Sequence, residues 1–217
     1  MASAQTPNWT LGPYIMQTLL LLVAPALFAA SIYMELGRII LLTEGEANSI
    51  IRRKWLTKIF VLGDVISFMM QGAGGGIMAG GSLTSMHTGE HIIIGGLVVQ
   101  ILFFSLFVVT ATIFHRRMLA RPTGRVQAGN LPWQRHLYAL YGGSVLILVR
   151  SVFRLIEYAQ GNDGFIISHE VFLYVFDGCL MWATMVIFAW VHPSEIQALL
   201  RGKGKSMRHA LKTYTTV

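Results

Sequence analysis

The 217 residues are 54% hydrophobic and only 12% charged, whereas about a quarter of the residues in a typical soluble domain are charged. This composition excludes a water-soluble globule. Although a net charge of +7 would suit a nucleic-acid-binding protein, the mean hydropathy of +0.58 favours a membrane protein without a nucleic-acid partner. The single cysteine, Cys179, excludes an intrachain disulfide, and its apolar surroundings predict a small core residue.

Five apolar runs have the length of roughly 20 residues that a helix needs to cross a bilayer. They cover about residues 13–36, 59–80, 92–114, 137–159 and 170–191. The runs are continuous and do not alternate with polar residues, so they predict helices and not barrel strands. The sequence therefore predicts an all-α, multi-pass transmembrane bundle. Residues 1–217 form one integral membrane domain that ends in a basic tail, 192–217.

Basic residues mark one side of the predicted membrane. Fourteen of the 17 Lys and Arg residues lie in three segments, namely the connection after the first span, the connection after the third span and the tail. The N-terminus and the other two connections contain none. By the positive-inside rule the N-terminus is external and the C-terminus is cytoplasmic. We expect an integral protein of the plasma membrane.

The second span carries polar residues on one helix face. Asp64, Phe68 and Gln71 follow the i, i+4, i+7 spacing that places side chains together. The glycines at 72, 76 and 80 recur at intervals of four, a pattern typical of close helix packing. The alternative interpretation is a locally unwound segment that lines a substrate path.

Two histidines follow in a predicted external loop. His87 and His91 are four residues apart, and on a helix two such imidazoles could share a metal ion. The segment is rich in glycine, however, and no third ligand is evident in the sequence. We therefore expect no metal site, no other cofactor and no catalytic residue.

The fourth span carries two arginines in the outer half of the bilayer. Arg150 and Arg154 lie about 13 and 8 Å below its outer end, at 1.5 Å per residue. A charge at such a depth costs about 2.5 to 3.5 kcal/mol, so both arginines should face the bundle and be paired. Arg150, Arg154 and Glu157 follow the i, i+4, i+7 spacing and share one face.

The fifth span repeats this spacing with two carboxylates. Glu170, Tyr174 and Asp177 lie on one face of a helix that returns from the outer side. Counting depth along the two spans places Asp177 beside Arg150 and Glu170 beside Arg154. The sequence therefore predicts facing polar stripes.

This ionic cluster has two interpretations. A buried network can serve only to lock two helices together. It can also form an outward-facing polar site that binds a headgroup or moves protons. Three carboxylates against two arginines leave one negative charge, which suits a cationic amine unless one carboxyl is protonated. The candidate substrate-binding residues are Arg150, Arg154, Glu157, Glu170, Tyr174, Asp177, Asp64 and Gln71.

Four passages of the chain are distinctive in their order and spacing. They are Ala24-Pro25-Ala26 with Ser31-Ile32-Tyr33 and Gly37-Arg38; Asp64 to Gly76; Arg150 with Arg154 and Glu157; and Glu170 with Tyr174, Asp177, Met181 and His192-Pro193. In these passages the chain resembles the fungal lipid-translocating exporter family, also called RTA-like proteins.

The resemblance implies a fungal membrane protein linked to movement of, or resistance to, lipid-like molecules. These molecules include sphingoid long-chain bases and sterol analogues, and in one branch porphyrins. The family typically has seven helices. The first span of this chain resembles the third span of the family, which implies that two N-terminal helices are absent.

Three classes of function remain open at this stage. The leading hypothesis is a translocator whose partners are membrane lipids and an amphipathic small-molecule substrate. The alternative is a receptor-like lipid sensor that binds an amphiphile without net transport. An intramembrane enzyme is disfavoured, because the histidines lie in predicted loops and at the outer ends of spans, where their spacing does not predict a zinc site. The substrate, the energy source and the oligomeric state are not determined by the sequence.

Overall fold

The computed structural model of the protein describes residues 11–78, 80, 82–128, 132–160, 174–192 and 194–200. Their helices are α1 (Leu11–Leu42), α2 (Arg53–Met78), α3 (Leu83–Ala120), α4 (Gly124–Ala128), α5 (Trp133–Ala159), α6 (Leu180–Trp190) and α7 (Ser194–Leu200). A 3-10 turn, Glu46–Asn48, follows α1, and a π-helical turn, Tyr174–Cys179, leads into α6. No strand occurs in these residues, and the all-α prediction is confirmed.

Five helical stretches of the described chain are long and apolar enough to cross a membrane, which confirms the multi-pass bundle. The helix α3 has 38 residues, or about 57 Å, and so exceeds the thickness of the hydrocarbon core. It begins early because the Ser82 hydroxyl caps it by accepting a hydrogen bond from the Ser85 backbone N–H at 3.1 Å. His87 and His91 therefore lie near the start of α3, and the prediction that they lie in a loop is wrong.

The core lies where α1, α2 and α3 cross. The ring of Tyr33 on α1 lies 4.5 Å from that of Phe107 on α3, edge to face, and Phe60 on α2 lies 5.4 Å from Phe107. The helix α5 packs on α1 and α3 and adds fully buried Leu140 and Ile147 to the same core. This packing places α5 beside α1 on one side and beside α6 on the other.

Large apolar side chains cover the outside of the bundle. Leu62, Leu102, Trp182 and Trp190 are each more than half exposed, an arrangement that suits lipid and not water. Cys179 is also exposed, so its predicted core position is wrong. In the π-helical turn Asp177 is buried, whereas Gly178 and Cys179 are exposed.

The two connections richest in basic residues lie at the same end of the bundle. The Thr123 hydroxyl donates a hydrogen bond to the Thr43 carbonyl at 2.5 Å, and Arg125 Nη1 lies 2.7 Å from Glu44 Oε1. Glu44, two residues after the end of α1, has a left-handed conformation with φ of 51°. These contacts bring together the segments that follow α1 and α3, as the alternation of charge along the sequence predicts.

The helices α2 and α3 approach closely at a pair of glycines. A Cβ added at Gly74 would lie 2.7 Å from the Gly89 carbonyl oxygen, and one at Gly89 would lie 2.5 Å from the Gly74 oxygen. A Cβ at Gly72 or Gly76 would meet nothing within 4 Å. The prediction that the glycines at 72, 76 and 80 form the close helix contact is therefore wrong, because Gly74 forms it. The unwound alternative is also wrong, since α2 is helical through Met78.

We expect Gly74→Ala to destabilise the bundle by about 1 to 3 kcal/mol, because the methyl group would force two backbones apart. Gly76→Ala is the matched control two residues away and should leave stability unchanged or slightly higher. Thermal unfolding of the two detergent-purified variants measures the difference. Equal unfolding midpoints would contradict the Gly74–Gly89 contact.

Candidate functional site

A buried ion pair joins the fourth and fifth spans. Arg150 Nε on α5 lies 3.0 Å from Asp177 Oδ1 in the π-helical turn, with side chains only 7% and 5% exposed. The predicted contact between these residues is confirmed. A charge in the membrane interior requires such a partner, and a π-helical turn commonly marks a functional position in a helix.

A second ion pair lies one turn farther along α5. Arg154 Nη1 lies 2.7 Å from Glu157 Oε2, and Arg154 Nη2 donates to the Tyr158 hydroxyl at 3.3 Å. The guanidinium also lies over the Tyr158 ring, 5.1 Å from its centroid. Arg154 therefore has partners on its own helix.

The two pairs form one electrostatic cluster. Arg150 interacts with Arg154 and Glu157 as well as with Asp177. Among the described residues the cluster holds two positive and two negative charges, so it is balanced. Glu170 and the Tyr174 side chain lie outside the residues that the structure describes, as does the expected third carboxylate contact.

Asp64 lies on α2 in a separate polar group. The Asp64 residue is only 5% exposed. The Tyr33 hydroxyl lies near the Asp64 carboxylate and interacts with it electrostatically, but the two groups are not placed for a hydrogen bond. Asp64 also borders a groove of about 220 Å³ between α1 and α2. Its other lining residues are apolar, namely Val23, Ala26, Leu27, Ala30, Val61, Val65 and Phe68.

Gln71 forms a polar contact between α2 and α3. Its Nε2 donates to Ser67 Oγ at 2.7 Å and to Gln100 Oε1 at 3.0 Å. The Ser67 hydroxyl donates to the Gly96 carbonyl at 2.7 Å. These buried amides satisfy one another, so Gln71 contributes to helix packing and does not join the Arg150 cluster.

Two of the polar regions in the described part of the spans are candidates for contact with a substrate. The α5 cluster, defined by Arg150, Arg154, Glu157 and Asp177, is rich in charge and internally paired. The α1–α2 groove, defined by its apolar lining and Asp64, combines one carboxylate with an apolar surface. An amphipathic molecule needs these two properties, a polar contact for its headgroup and an apolar surface for its chain.

The model of the family described as RTA1 like protein matches residues 1–199 of the chain. The chain is 44% identical over 184 residues to Protein RTA1 of Saccharomyces cerevisiae, covering 84% of this chain and 57% of that protein. The chain belongs to the RTA1-like family. No solved structure matches it.

Other RTA1-like proteins are named for transport. Protoporphyrin uptake protein 1 of Saccharomyces cerevisiae is 40% identical over 192 residues, which cover 86% of this chain and 60% of the relative. The probable lipid transporter atnI of Emericella nidulans is 31% identical over 191 residues, which cover 82% and 50%. The chain thus spans about half to three fifths of the length of these RTA1-like relatives.

Three titratable residues that meet in this RTA1-like chain were not predicted as site residues from the sequence. His136 on α5 is fully buried, with Nδ1 3.3 Å from Glu35 Oε1 on α1 and Nε2 3.4 Å from Glu195 Oε2 on α7. Glu35 could have been identified from the sequence, because it is a carboxylate inside the first apolar run. The packing of α7 on α1 places Glu195 near His136, and the sequence contains no direct sign of that return.

We expect Asp177→Asn to destabilise this RTA1-like bundle by about 3 to 5 kcal/mol, because it removes the carboxylate beside the buried Arg150 guanidinium. Glu44→Gln is the matched control. It breaks the Arg125 pair, whose side chains are 43% and 62% exposed, and should cost less than about 1 kcal/mol. Unfolding of the purified variants in a denaturing-detergent titration measures both effects. An Asp177→Asn protein as stable as wild type would contradict the importance of the pair.

Proposed function

We propose that the chain forms the translocating part of a membrane transporter for amphipathic lipid-like molecules, and that it is not an enzyme. The observation that carries this proposal is the buried α5 cluster, whose four charges are costly in a bilayer and are placed between two spans. The names of its relatives support a transport role. Resistance-type export is the direction that the family resemblance implies.

In the proposed mechanism the substrate headgroup replaces one partner of an ion pair inside the protein. The four charges of the α5 cluster balance, so a cationic headgroup enters it by replacing one of the two guanidiniums, for example that of Arg150 beside Asp177. Glu170 and Tyr174 belong to the same proposed site on the basis of the sequence spacing. The apolar chain of the substrate stays against lipid-facing helix surfaces, so only the headgroup needs a polar path.

The α1–α2 groove favours a cationic amphiphile. Its one charged residue is Asp64, and its remaining lining suits a hydrocarbon chain. Both carboxylate oxygens of Asp64 are enclosed by protein, so an amine reaches them only when α1 and α2 separate locally. Sphingoid long-chain bases combine an amine with a long chain. They are therefore the substrates that we propose ahead of uncharged sterol analogues and porphyrins.

Placement in the plasma membrane with an external N-terminus is part of the proposal. The end of the bundle formed by Glu44, Thr43, Thr123 and Arg125 would then face the cytoplasm. The basic segments gathered at this end support that orientation.

We expect the protein to lower the amount of labelled sphingoid base retained by yeast cells that lack the endogenous relatives. Asp64→Asn should abolish this effect for the cationic base and preserve it for an uncharged sterol analogue, because only the amine needs the carboxylate. Glu46→Gln, at an exposed residue far from the groove, is the control and should behave like wild type. Efflux assays at matched surface abundance measure these outcomes.

Equal retention in wild-type and empty-vector cells would overturn the transport proposal. Saturable binding of the base to purified protein without efflux would instead favour the lipid-sensor alternative.

Single-cysteine labelling tests the orientation. In a Cys179→Ser background, we expect Thr84→Cys to react with a membrane-impermeant maleimide on intact cells. Glu46→Cys should react only after permeabilisation, since both side chains are exposed and the proposed orientation puts them on opposite sides of the membrane. The reverse labelling pattern would show that the proposed orientation is wrong.

A further inference from the structure

Three titratable side chains from distant parts of the chain meet at one end of the bundle. Glu35 lies about seven residues before the end of α1, His136 lies in the first turn of α5, and Glu195 lies in the first turn of α7. His136 is 0% exposed and Glu35 is 2% exposed, whereas the Glu195 side chain is 34% exposed. The three groups therefore form a line from the protein surface to the interior.

The imidazole lies between the two carboxylates, with one ring nitrogen near each. Nδ1 lies 3.3 Å from Glu35 Oε1, and Nε2 lies 3.4 Å from Glu195 Oε2. Glu35 Oε2 is enclosed and has no hydrogen-bond partner among the described residues. A histidine with a carboxylate at each nitrogen can accept a proton on one side and release another on the opposite side.

Among the described residues, the titratable groups paired with His136 are Glu35 from α1 and Glu195 from α7. Its charged neighbour on α5, Arg135, is exposed and does not share its buried position. On α3 the titratable His115 packs against Trp133, in the same turn of α5 as His136, and stacks against Tyr141. Arg38 is the other charged residue of α1, and α6 contains no charged residue. Asp177, in the π-helical turn, pairs with Arg150, 14 positions farther along α5.

We propose that Glu35, His136 and Glu195 form a proton-binding site that relays a proton between the aqueous phase at the α7 end of the bundle and the buried Glu35 carboxyl. This site is separate from the α5 cluster and from the α1–α2 groove, and the proposal holds for any substrate of the proposed transporter. If translocation uses a proton gradient, this site lies where the proton would enter or leave.

The relay conserves protons at each step. Water or the Glu195 carboxyl supplies a proton to Nε2 of an imidazole that already carries one on Nδ1. The imidazolium then gives its Nδ1 proton to the Glu35 oxygen and becomes neutral, with the remaining proton on Nε2. Glu35 changes from carboxylate to carboxylic acid, and only N–H and O–H bonds form or break. The reverse sequence returns the proton to the surface.

Proton binding can be tested on the purified full chain in lipid nanodiscs, without substrate. In protein labelled with 15N-histidine, the His136 ring resonances are identified by their loss in His136→Asn. We expect these resonances to respond to pH as the imidazole binds a proton. Glu35→Gln and Glu195→Gln should each move that titration to lower pH by about one unit or more, because each removes one negative charge beside the imidazolium.

Glu90→Gln is the matched control, since Glu90 lies 3.9 Å from His87, whose side chain is 77% exposed. It should leave the His136 titration unchanged. A His136 resonance that does not respond to pH would overturn the proposal. An unchanged titration in Glu35→Gln or Glu195→Gln would also overturn it.

Infrared difference spectra between low and high pH provide a second measurement. We expect a protonated-carboxyl band in wild type that Glu35→Gln removes and Glu90→Gln preserves. If Glu35→Gln does not fold, Glu195→Gln decides the question, because it replaces a partly exposed side chain of a short helix. A Glu35 band with the same pH dependence in Glu195→Gln and wild type would contradict a relay through Glu195.

Discussion

A charged side chain inside a bilayer must find its partners within the protein, because no water is available there to solvate it. This requirement explains the most specific contacts of the bundle. The Arg150–Asp177 pair ties α5 to the π-helical turn, and Arg154 is held by Glu157 on its own helix. Apolar side chains interact as well with lipid as with one another, so they cannot select a single helix arrangement by themselves. The helix arrangement is selected instead by the close backbone contact between Gly74 and Gly89 and by the paired charges.

The same requirement connects the structure to the proposed transport. The four charges of the α5 cluster pair with one another in the structure, and the proposed transport step replaces one of these partners with a charged headgroup. The α1–α2 groove adds the apolar surface that such a molecule also needs, with Asp64 at its edge. At the end of the bundle Glu35, His136 and Glu195 connect the interior to the surface. The α5 cluster, the α1–α2 groove and the Glu35–His136–Glu195 group thus differ in chemistry: the first is an ion-pair cluster, the second a carboxylate beside an apolar surface, and the third a histidine between two carboxylates.

Particular residues show how far sequence reasoning reaches. Depth counting correctly paired Arg150 with Asp177, because a helix rises by a known distance per residue. The same counting missed that Arg154 has Glu157 as a partner on its own helix, since an i, i+3 pair competes with a partner across the bundle. Glycine spacing named the wrong positions, because spacing does not reveal which face of α2 meets α3. Glu195 could not be connected to His136 before the packing of α7 on α1 was known.

Composition and the length of the apolar runs determined that the chain is an all-α membrane bundle, because the cost of exposing a backbone to lipid leaves few alternatives. The pattern of basic residues determined which connections share one end of the bundle. Only the tertiary structure decided which side chains of the neighbouring helices touch, where α2 and α3 come closest, and that His136 lies between two carboxylates. These contacts depend on the rotation of each helix about its own axis. That rotation is set by all the neighbouring helices together and is not contained in the periodicity of any one of them.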